Sequence, residues 1–134
     1  DIPSEELYKD IAFVQKNDFL IEGNVLDNIK LSRNLYLTEK LRNALGFNEY
    51  FLNKSLSQSG KSISEGEKQR IDLARFLVKP YSVYIFDEPT SNLDPIKAKA
   101  MMDYILSIKD AIVIVITHDQ SPKILEEFDQ VITL

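Results

Sequence analysis

The sequence contains no cysteine, a single histidine and four glycines among its 134 residues. The lack of cysteine excludes disulfide scaffolds and cysteine-based metal sites, and one histidine cannot form a multi-histidine metal site. The longest uninterrupted apolar run is the six residues 111–116, whereas a membrane-spanning helix needs about 20. The first ten residues contain neither a basic stretch nor an apolar stretch, so we expect no signal peptide. These absences favour a reducing, cytoplasmic location.

Composition and charge indicate one folded domain. The length fits one domain of about 100–200 residues, and 44% hydrophobic with 28% charged residues is the balance of a globular protein. The chain carries 16 Lys and Arg against 21 Asp and Glu, which gives a formal net charge of -5. This acidic balance argues against nucleic acid as a partner, because such binding uses a basic face.

Short apolar runs alternate with helical patterns, which predicts an α/β fold with a mostly parallel sheet. Residues 111–116 are apolar at every position, as in a parallel strand that is covered on both faces. Residues 55–62 are polar and predict a loop. The predicted strands are 11–15, 83–86, 111–116 and 130–134. The predicted helices are 24–31, 38–45, 94–108 and 121–127, with a further helix between Ser64 and Pro80.

Capping signals mark three helix ends. Ser64 precedes Glu67 by three residues, the spacing of a capping box, and apolar residues then recur at helical spacing. Asp94 followed by Pro95 predicts an N-cap with proline at the first helical position. Gly46 is a predicted C-terminal stop for the helix before it.

The adjacent carboxylates of Asp87 and Glu88 are the strongest indication of catalytic chemistry in the sequence. They follow the apolar run 83–86, and open α/β sheets bind ligands at the carboxyl ends of their strands. One carboxylate can hold Mg²⁺, directly or through water, and the next can polarise an attacking water. The alternative is a strand that simply ends in a polar turn, since acidic residues commonly end strands.

Four segments, in this order, resemble the motifs of ABC transporter ATPases. Residues 13–15 (FVQ), with 20–29 after them, resemble the Q-loop region, and residues 63–70 (ISEGEKQR) resemble the signature motif. Residues 87–94 (DEPTSNLD) resemble the Walker B and D-loop run, and residues 116–119 (ITHD) resemble the switch-histidine segment. From the first to the last, these segments span residues 13–119, which is most of the chain.

The resemblance implies a partial P-loop NTPase of the ABC type, with a parallel sheet core and a helical signature subdomain. Within a partial nucleotide-binding domain of residues 1–134, residues 1–23 would be the Q-loop region and 24–80 the helical subdomain with the signature motif. Residues 81–134 would form the core with the Walker B, D-loop and switch-histidine segments. The resemblance also implies ATP and Mg²⁺ as cofactors.

The resemblance assigns roles to the residues that follow the predicted strands. Gln15 would lie near Mg²⁺ and the attacking water, Asp87 would hold Mg²⁺ through water, and Glu88 would be the general base. His118 would contact the γ-phosphate and sense its loss. Asp94 would reach across to the site of a partner domain. For His118 the alternative is a structural residue that follows a buried strand.

In the signature motif, Ser64 and Gly66 would contact the γ-phosphate bound by the opposite subunit. Ser64 precedes a helix, where unpaired N–H groups and the helix dipole favour an anion, although it also serves as the helix cap. The family's motif usually reads LSGGQ, so Glu65 and Glu67 add negative charge where the phosphate would dock, and repulsion would weaken binding. Glu67 can turn toward its own helix in the capping box, whereas Glu65 has no such role.

The chain lacks the Gly-x-x-x-x-Gly-Lys-Ser/Thr loop with which the family cradles phosphates. Residues 60–62 read GKS, but Ser55 stands where the first glycine belongs and no apolar strand precedes it. We therefore expect a C-terminal fragment without the Walker A region, which alone does not hydrolyse ATP. An exposed sheet edge in such a fragment predicts weak stability or self-association.

Residues 20–29 resemble the segment that follows the Q-loop in ABC exporters. The parent protein is therefore expected to be the ATP-binding and hydrolysing domain of an exporter at the cytoplasmic side of the membrane. Its implied partners are a second nucleotide-binding domain, in a head-to-tail dimer, and transmembrane subunits or domains. Two alternatives stay open: a soluble ABC ATPase without a transport role, and a truncated, non-catalytic interaction module.

Overall fold

The computed structural model describes residues 9–57 and 59–134. Residues 1–8, which belong to the predicted Q-loop region, and Gln58 lie outside the described residues. The strands are β1 (Ile11–Val14), β2 (Gly23–Asn24), β3 (Ser55–Leu56), β4 (Val83–Asp87) and β5 (Ile112–Ile116). The helices are α1 (Val25–Lys30), α2 (Glu39–Leu45), α3 (Glu49–Leu52), α4 (Glu65–Leu77), α5 (Pro95–Leu106) and α6 (Pro122–Leu125).

The main sheet contains three parallel strands in the order β1–β4–β5. Val14 is level with Phe86, and Asp87 is level with Ile116, so the carboxyl ends of the three strands meet at one edge. The parallel sheet predicted from the sequence is therefore confirmed. β2 and β3 form a separate, antiparallel pair.

Polar side chains fix where the helices begin. Asn24, Thr38, Ser64 and Asp94 precede α1, α2, α4 and α5, and each side chain accepts a hydrogen bond from a main-chain N–H of the first turn. Such caps satisfy N–H groups that have no partner inside the helix. Gly46 ends α2 with a φ of 69°, a left-handed conformation that glycine adopts without steric cost. The predicted caps at 64 and 94 and the stop at 46 are confirmed.

The core lies where α4 packs against β1, α1 and α2, while α5 packs against α2. Ile71 on α4, Phe86 on β4 and Ile105 on α5 are fully buried. Burying one such side chain contributes about 1.5–3 kcal/mol. This packing fixes α4 relative to the sheet, and α4 carries the signature-like segment at its N-terminus.

The expectation that strand 111–116 is covered on both faces is wrong for the described residues. Ile112, Ile114 and Ile116 are exposed, while Val113 and Val115 contact the core. β5 is an edge strand of the sheet, and the described elements leave its outer face open. An apolar run therefore predicted the strand but not how many of its faces are covered.

Three further elements differ from the predictions. Residues 130–134 form no strand, because a strand needs a neighbour and the described part of the chain pairs none with them. The predicted loop at 55–62 contains β3, which pairs with β2. The one-turn helix α3 was not predicted, although Asn48 accepts a hydrogen bond from the Phe51 N–H as its cap.

Candidate functional site

The carboxyl edge of the main sheet brings together the side chains predicted to act in chemistry. Gln15 follows the last residue of β1, Asp87 ends β4 and Glu88 comes next. His118 lies two residues beyond the end of β5. Because the three strands are parallel and in register, these four residues lie at one edge, as the sequence predicted.

Glu88 follows β4 in an unusual main-chain conformation and is hydrogen-bonded to β5 and to the residues after it. Its φ is 48°, in the left-handed region that non-glycine residues rarely adopt. Its N–H donates to the carbonyl oxygen of Ile116 over 2.8 Å. Its side-chain Oε1 accepts a hydrogen bond from the main-chain N–H of His118 at 2.9 Å, and His118 Nε2 lies 3.3 Å from the same oxygen. Glu88 and His118 thus form a contacting pair in which a carboxylate is held beside an imidazole.

Asp87 and Gln15 supply oxygen ligands at the same edge. Asp87 is partly buried and Gln15 is exposed, and their strands are direct neighbours. The described residues contain no cluster of three or more His, Cys, Asp or Glu with metal-binding geometry. Mg²⁺ needs no such cluster, since it is usually held by one or two carboxylates, several waters and substrate phosphates. Asp87 fits that chemistry, and Gln15 follows the neighbouring strand β1.

Ser64 and Glu67 form the predicted capping box at the N-terminus of α4. The Ser64 Oγ accepts a hydrogen bond from the Glu67 N–H at 3.1 Å, and Glu67 Oε1 accepts one from the Ser64 N–H at 2.9 Å. The Glu67 carboxylate is therefore turned back onto its own helix, as expected. Its negative charge also complements the positive end of the helix dipole.

Glu65 has a partner that the sequence analysis did not find. Its Oε2 lies 3.4 Å from the Nζ of Lys16, the residue after Gln15. Both side chains are exposed, so the pair contributes little to stability, about 0–1 kcal/mol. The ion pair nevertheless offsets the negative charge that Glu65 adds beside the predicted phosphate site.

Gly66 allows the start of α4 to approach the loop after β4. A Cβ atom at this position would lie 2.9 Å from the main-chain oxygen of Asn92. Glycine is thus required here by contact within this chain. In the same loop, Asp94 caps α5 through its Oδ1, which accepts from the Lys97 N–H at 2.9 Å. That hydrogen bond holds the pKa of Asp94 below its usual value.

The segment after Gln15 is held against α4 by an ion pair of Asp18 and a hydrogen bond of Asn17. Asp18 pairs with Lys68 at 2.8 Å, and the main-chain N–H of Asn17 donates to Asp72 Oδ2 at 3.2 Å. Asp72 is buried beside Arg75, with 3.3 Å between Oδ1 and Nη1. Burial raises the pKa of Asp72 to about 6, against the opposing effects of the Asn17 hydrogen bond and the Arg75 charge.

Gln69 is a further residue of the site that the sequence analysis missed. It is buried on α4, yet its amide bonds to the loop that follows β4. Its Nε2 donates to the main-chain oxygen of Glu88 at 3.0 Å and to Ser91 Oγ at 3.3 Å. Its Oε1 accepts from the Asn92 N–H at 2.9 Å. Its place in the segment 63–70, which resembles the signature motif, is the sequence signal that could have pointed to it.

The Gly-Lys-Ser segment at 60–62 does not follow a strand of the main sheet. It follows β3, which belongs to the antiparallel pair, and precedes α4. A phosphate-binding loop instead connects a strand of the parallel sheet to a helix. The structure thus agrees with the sequence-based rejection of this segment as a phosphate loop.

Comparisons with known proteins agree with the motifs. The ABC transporter family model matches residues 2–91. The chain is 33% identical over 144 aligned positions to a pediocin PA-1 transport/processing ATP-binding protein of Pediococcus acidilactici, covering 100% of this chain and 20% of that protein. It is 34% identical over 134 positions to a lipoprotein-releasing system ATP-binding protein of Neorickettsia sennetsu, covering 94% of the chain and 59% of that protein. The chain thus spans about a fifth of the length of the first of these relatives.

A solved structure has the same fold. A bacterial Atm1-family ABC exporter with ATP bound superposes with a TM-score of 0.73 at 22% identity, covering 90% of this chain and 23% of that one. Within the described residues, no helix combines the length and apolar character needed to cross a bilayer. The family match extends over more than half of the chain and includes the Q-loop, signature and Walker B segments. The chain belongs to the ABC transporter family.

Proposed function

We propose that this chain is part of the ATP-hydrolysing domain of an ABC exporter. The observation that carries the proposal is the contact between Glu88 and His118 beside Asp87, at the carboxyl edge where Gln15 also lies. The relatives named for transport or processing support the export role. The full-length protein would work at the cytoplasmic face of a membrane, joined to membrane-spanning domains.

In this proposal, each side chain at the sheet edge has one task. Bound ATP with Mg²⁺ supplies the γ-phosphoryl group and the charge neutralisation for its transfer to water. Asp87 and the Gln15 amide hold the cation side of the site, through waters where needed. Glu88 keeps Oε1 on the His118 N–H and takes a proton from the attacking water on Oε2. His118 orients that carboxylate and donates toward the γ-phosphate.

The N-terminus of α4 would act on a nucleotide held by a second domain. The main-chain N–H groups of Glu65 and Gly66 lie in the first turn, where helices have N–H groups without intrahelical partners. Ser64 adds a hydroxyl, and the helix dipole favours an anion. Lys16 offsets the charge of Glu65 in this position. Asp94, which starts α5, would face the same partner domain in a head-to-tail dimer.

Phosphate release from MgATP by the full-length protein tests this proposal. A general base contributes about 10²–10⁴-fold to a rate, so Glu88→Gln should lower kcat by a factor in that range. Glu126→Gln makes the same chemical change at an exposed position and serves as the matched control. An inactive wild type, or a Glu88→Gln variant as active as the control, would rule out the hydrolytic role.

The export role has a separate test. After cell lysis, the full-length protein should sediment with membranes and stay there when washed at alkaline pH. Recovery in the soluble fraction with ATPase activity would support a soluble ABC ATPase instead. Membrane recovery without ATP turnover would support the non-catalytic interaction module.

A further inference from the structure

Gln69 joins the helix α4 to the loop that carries Glu88. Its side chain is only 7% exposed, and all three of its hydrogen bonds go to residues 88–92. A buried amide without hydrogen-bond partners would destabilise the fold. In Gln69 the amide nitrogen donates and the amide oxygen accepts. The side chain therefore links α4 to the loop after β4, two segments that are distant in sequence.

The conformation of Glu88 needs such a link. A non-glycine residue at positive φ is strained and persists only when its surroundings hold it. The Glu88 N–H is held by the Ile116 oxygen at 2.8 Å, and the Glu88 carbonyl oxygen is held by Gln69 Nε2 at 3.0 Å. The two main-chain groups that flank the strained φ and ψ angles are therefore both bonded, one to β5 and the other to α4.

We propose that Gln69 is a positioning residue for hydrolysis, which keeps the Glu88 carboxylate beside His118 by holding the Glu88 carbonyl. This inference rests on the proposed ATPase function. Gln69 also bonds the Asn92 N–H, in the loop that approaches Gly66. One amide thus couples the general base to the start of the signature helix. The Glu88 carbonyl needs a donor and the Asn92 N–H needs an acceptor. Glutamine provides both, whereas an ionised glutamate provides only acceptors.

Two substitutions separate these contacts. Gln69→Glu has nearly the same shape and keeps an acceptor for the Asn92 N–H, but it places a carboxylate against the Glu88 carbonyl. Gln69→Met keeps the volume and removes all three hydrogen bonds. Gln130→Glu makes the same change at an exposed position and is the control. The assay is steady-state ATP hydrolysis by the full-length protein, with far-UV circular dichroism to verify folding.

We expect kcat to fall about 10- to 100-fold in both Gln69 variants, a part of the contribution of a general base. The KM for MgATP should change less than about threefold, because the hydrogen bonds of Gln69 go to Glu88, Ser91 and Asn92 and to none of the predicted nucleotide contacts. The control should match wild type. A purely structural role would instead lower the folded fraction and leave kcat per folded molecule unchanged.

The outcomes distinguish this inference from the proposed function. An active wild type whose folded Gln69 variants keep kcat within about twofold overturns the positioning role alone. An inactive wild type overturns both, since a positioning residue needs a reaction. If Gln69→Met does not fold, Gln69→Glu decides, and if neither folds, Gln69 is a folding residue and the inference is wrong.

Discussion

Replacing Asp72 with asparagine tests whether burial or ion pairing dominates at the junction between α4 and the segment after Gln15. The Asp72 side chain is 6% exposed and lies 3.3 Å from Arg75. It also accepts from the Asn17 N–H, and the charges of Lys68 and Asp18 act on it. Burial outweighs the lowering effects of Asn17, Arg75 and Lys68 and raises the pKa of Asp72 from 3.8 to about 6.

The sign of the pH effect follows from the raised pKa. The folded chain holds the Asp72 proton up to about pH 6, whereas the unfolded chain releases it near 3.8. Between these values the folded state binds more protons, so the free energy of unfolding falls as pH rises. The pKa difference is about 2, and each pKa unit corresponds to 1.36 kcal/mol, so roughly 3 kcal/mol is lost across this window.

The Asp72→Asn variant cannot titrate at this position. Its free energy of unfolding, relative to wild type, should therefore rise by up to roughly 3 kcal/mol between about pH 4 and about pH 7. Urea unfolding of the chain, followed by far-UV circular dichroism at several pH values, measures this difference. Asp103→Asn, which breaks the exposed pair with Lys99, is the control and should change stability by less than about 0.5 kcal/mol.

Two results would refute this reasoning. A difference between Asp72→Asn and wild type that stays constant across the pH range would mean that Asp72 titrates alike in both states. A relative stability that falls with rising pH would mean that Arg75 lowers the pKa and outweighs burial. The first result would show that the ion pair cancels the effect of desolvation on the Asp72 pKa, and the second would show that the ion pair outweighs it.

Two further predictions concern the N-terminus of α4. Gly66→Ala should destabilise the chain by about 1–3 kcal/mol, since the new Cβ would lie 2.9 Å from the Asn92 oxygen; an unchanged urea midpoint would contradict this. Lys16→Glu should lower stability by less than about 1 kcal/mol because the pair with Glu65 is exposed. In the full-length protein the same variant should raise the KM for MgATP, and adding Glu65→Lys should restore it; additive effects of the two changes would contradict the pairing.

Local sequence signals predicted the elements that depend on neighbours along the chain. The caps at Ser64 and Asp94 and the stop at Gly46 formed as expected, because a cap needs only a side chain and the first or last turn of its helix. The strand 83–86 was likewise clear from its apolar side chains. The predicted strand at 130–134 failed, because strand formation requires a partner that the local pattern does not reveal.

The order of motifs along the chain was enough to indicate the family and to name Gln15, Asp87, Glu88 and His118 as site residues. Their convergence needed only the rule that parallel strands present their carboxyl ends at one edge. The sequence alone thus determined the fold class, the starts of the helices capped by Ser64 and Asp94, and which residues follow the strands of the sheet. Each of these depends on local spacing or on a topology common to the fold.

Only the tertiary structure decided how α4 is joined to the sheet edge. The pairing of Glu65 with Lys16, the burial of Asp72 and the three bonds of Gln69 connect residues 19 to 55 positions apart. No local pattern encodes such contacts, since the distance between two side chains depends on how the helix packs on the sheet. The exposed face of β5 could not be predicted for the same reason. An apolar side chain is buried only where another element packs against it, and the local pattern does not show whether one does.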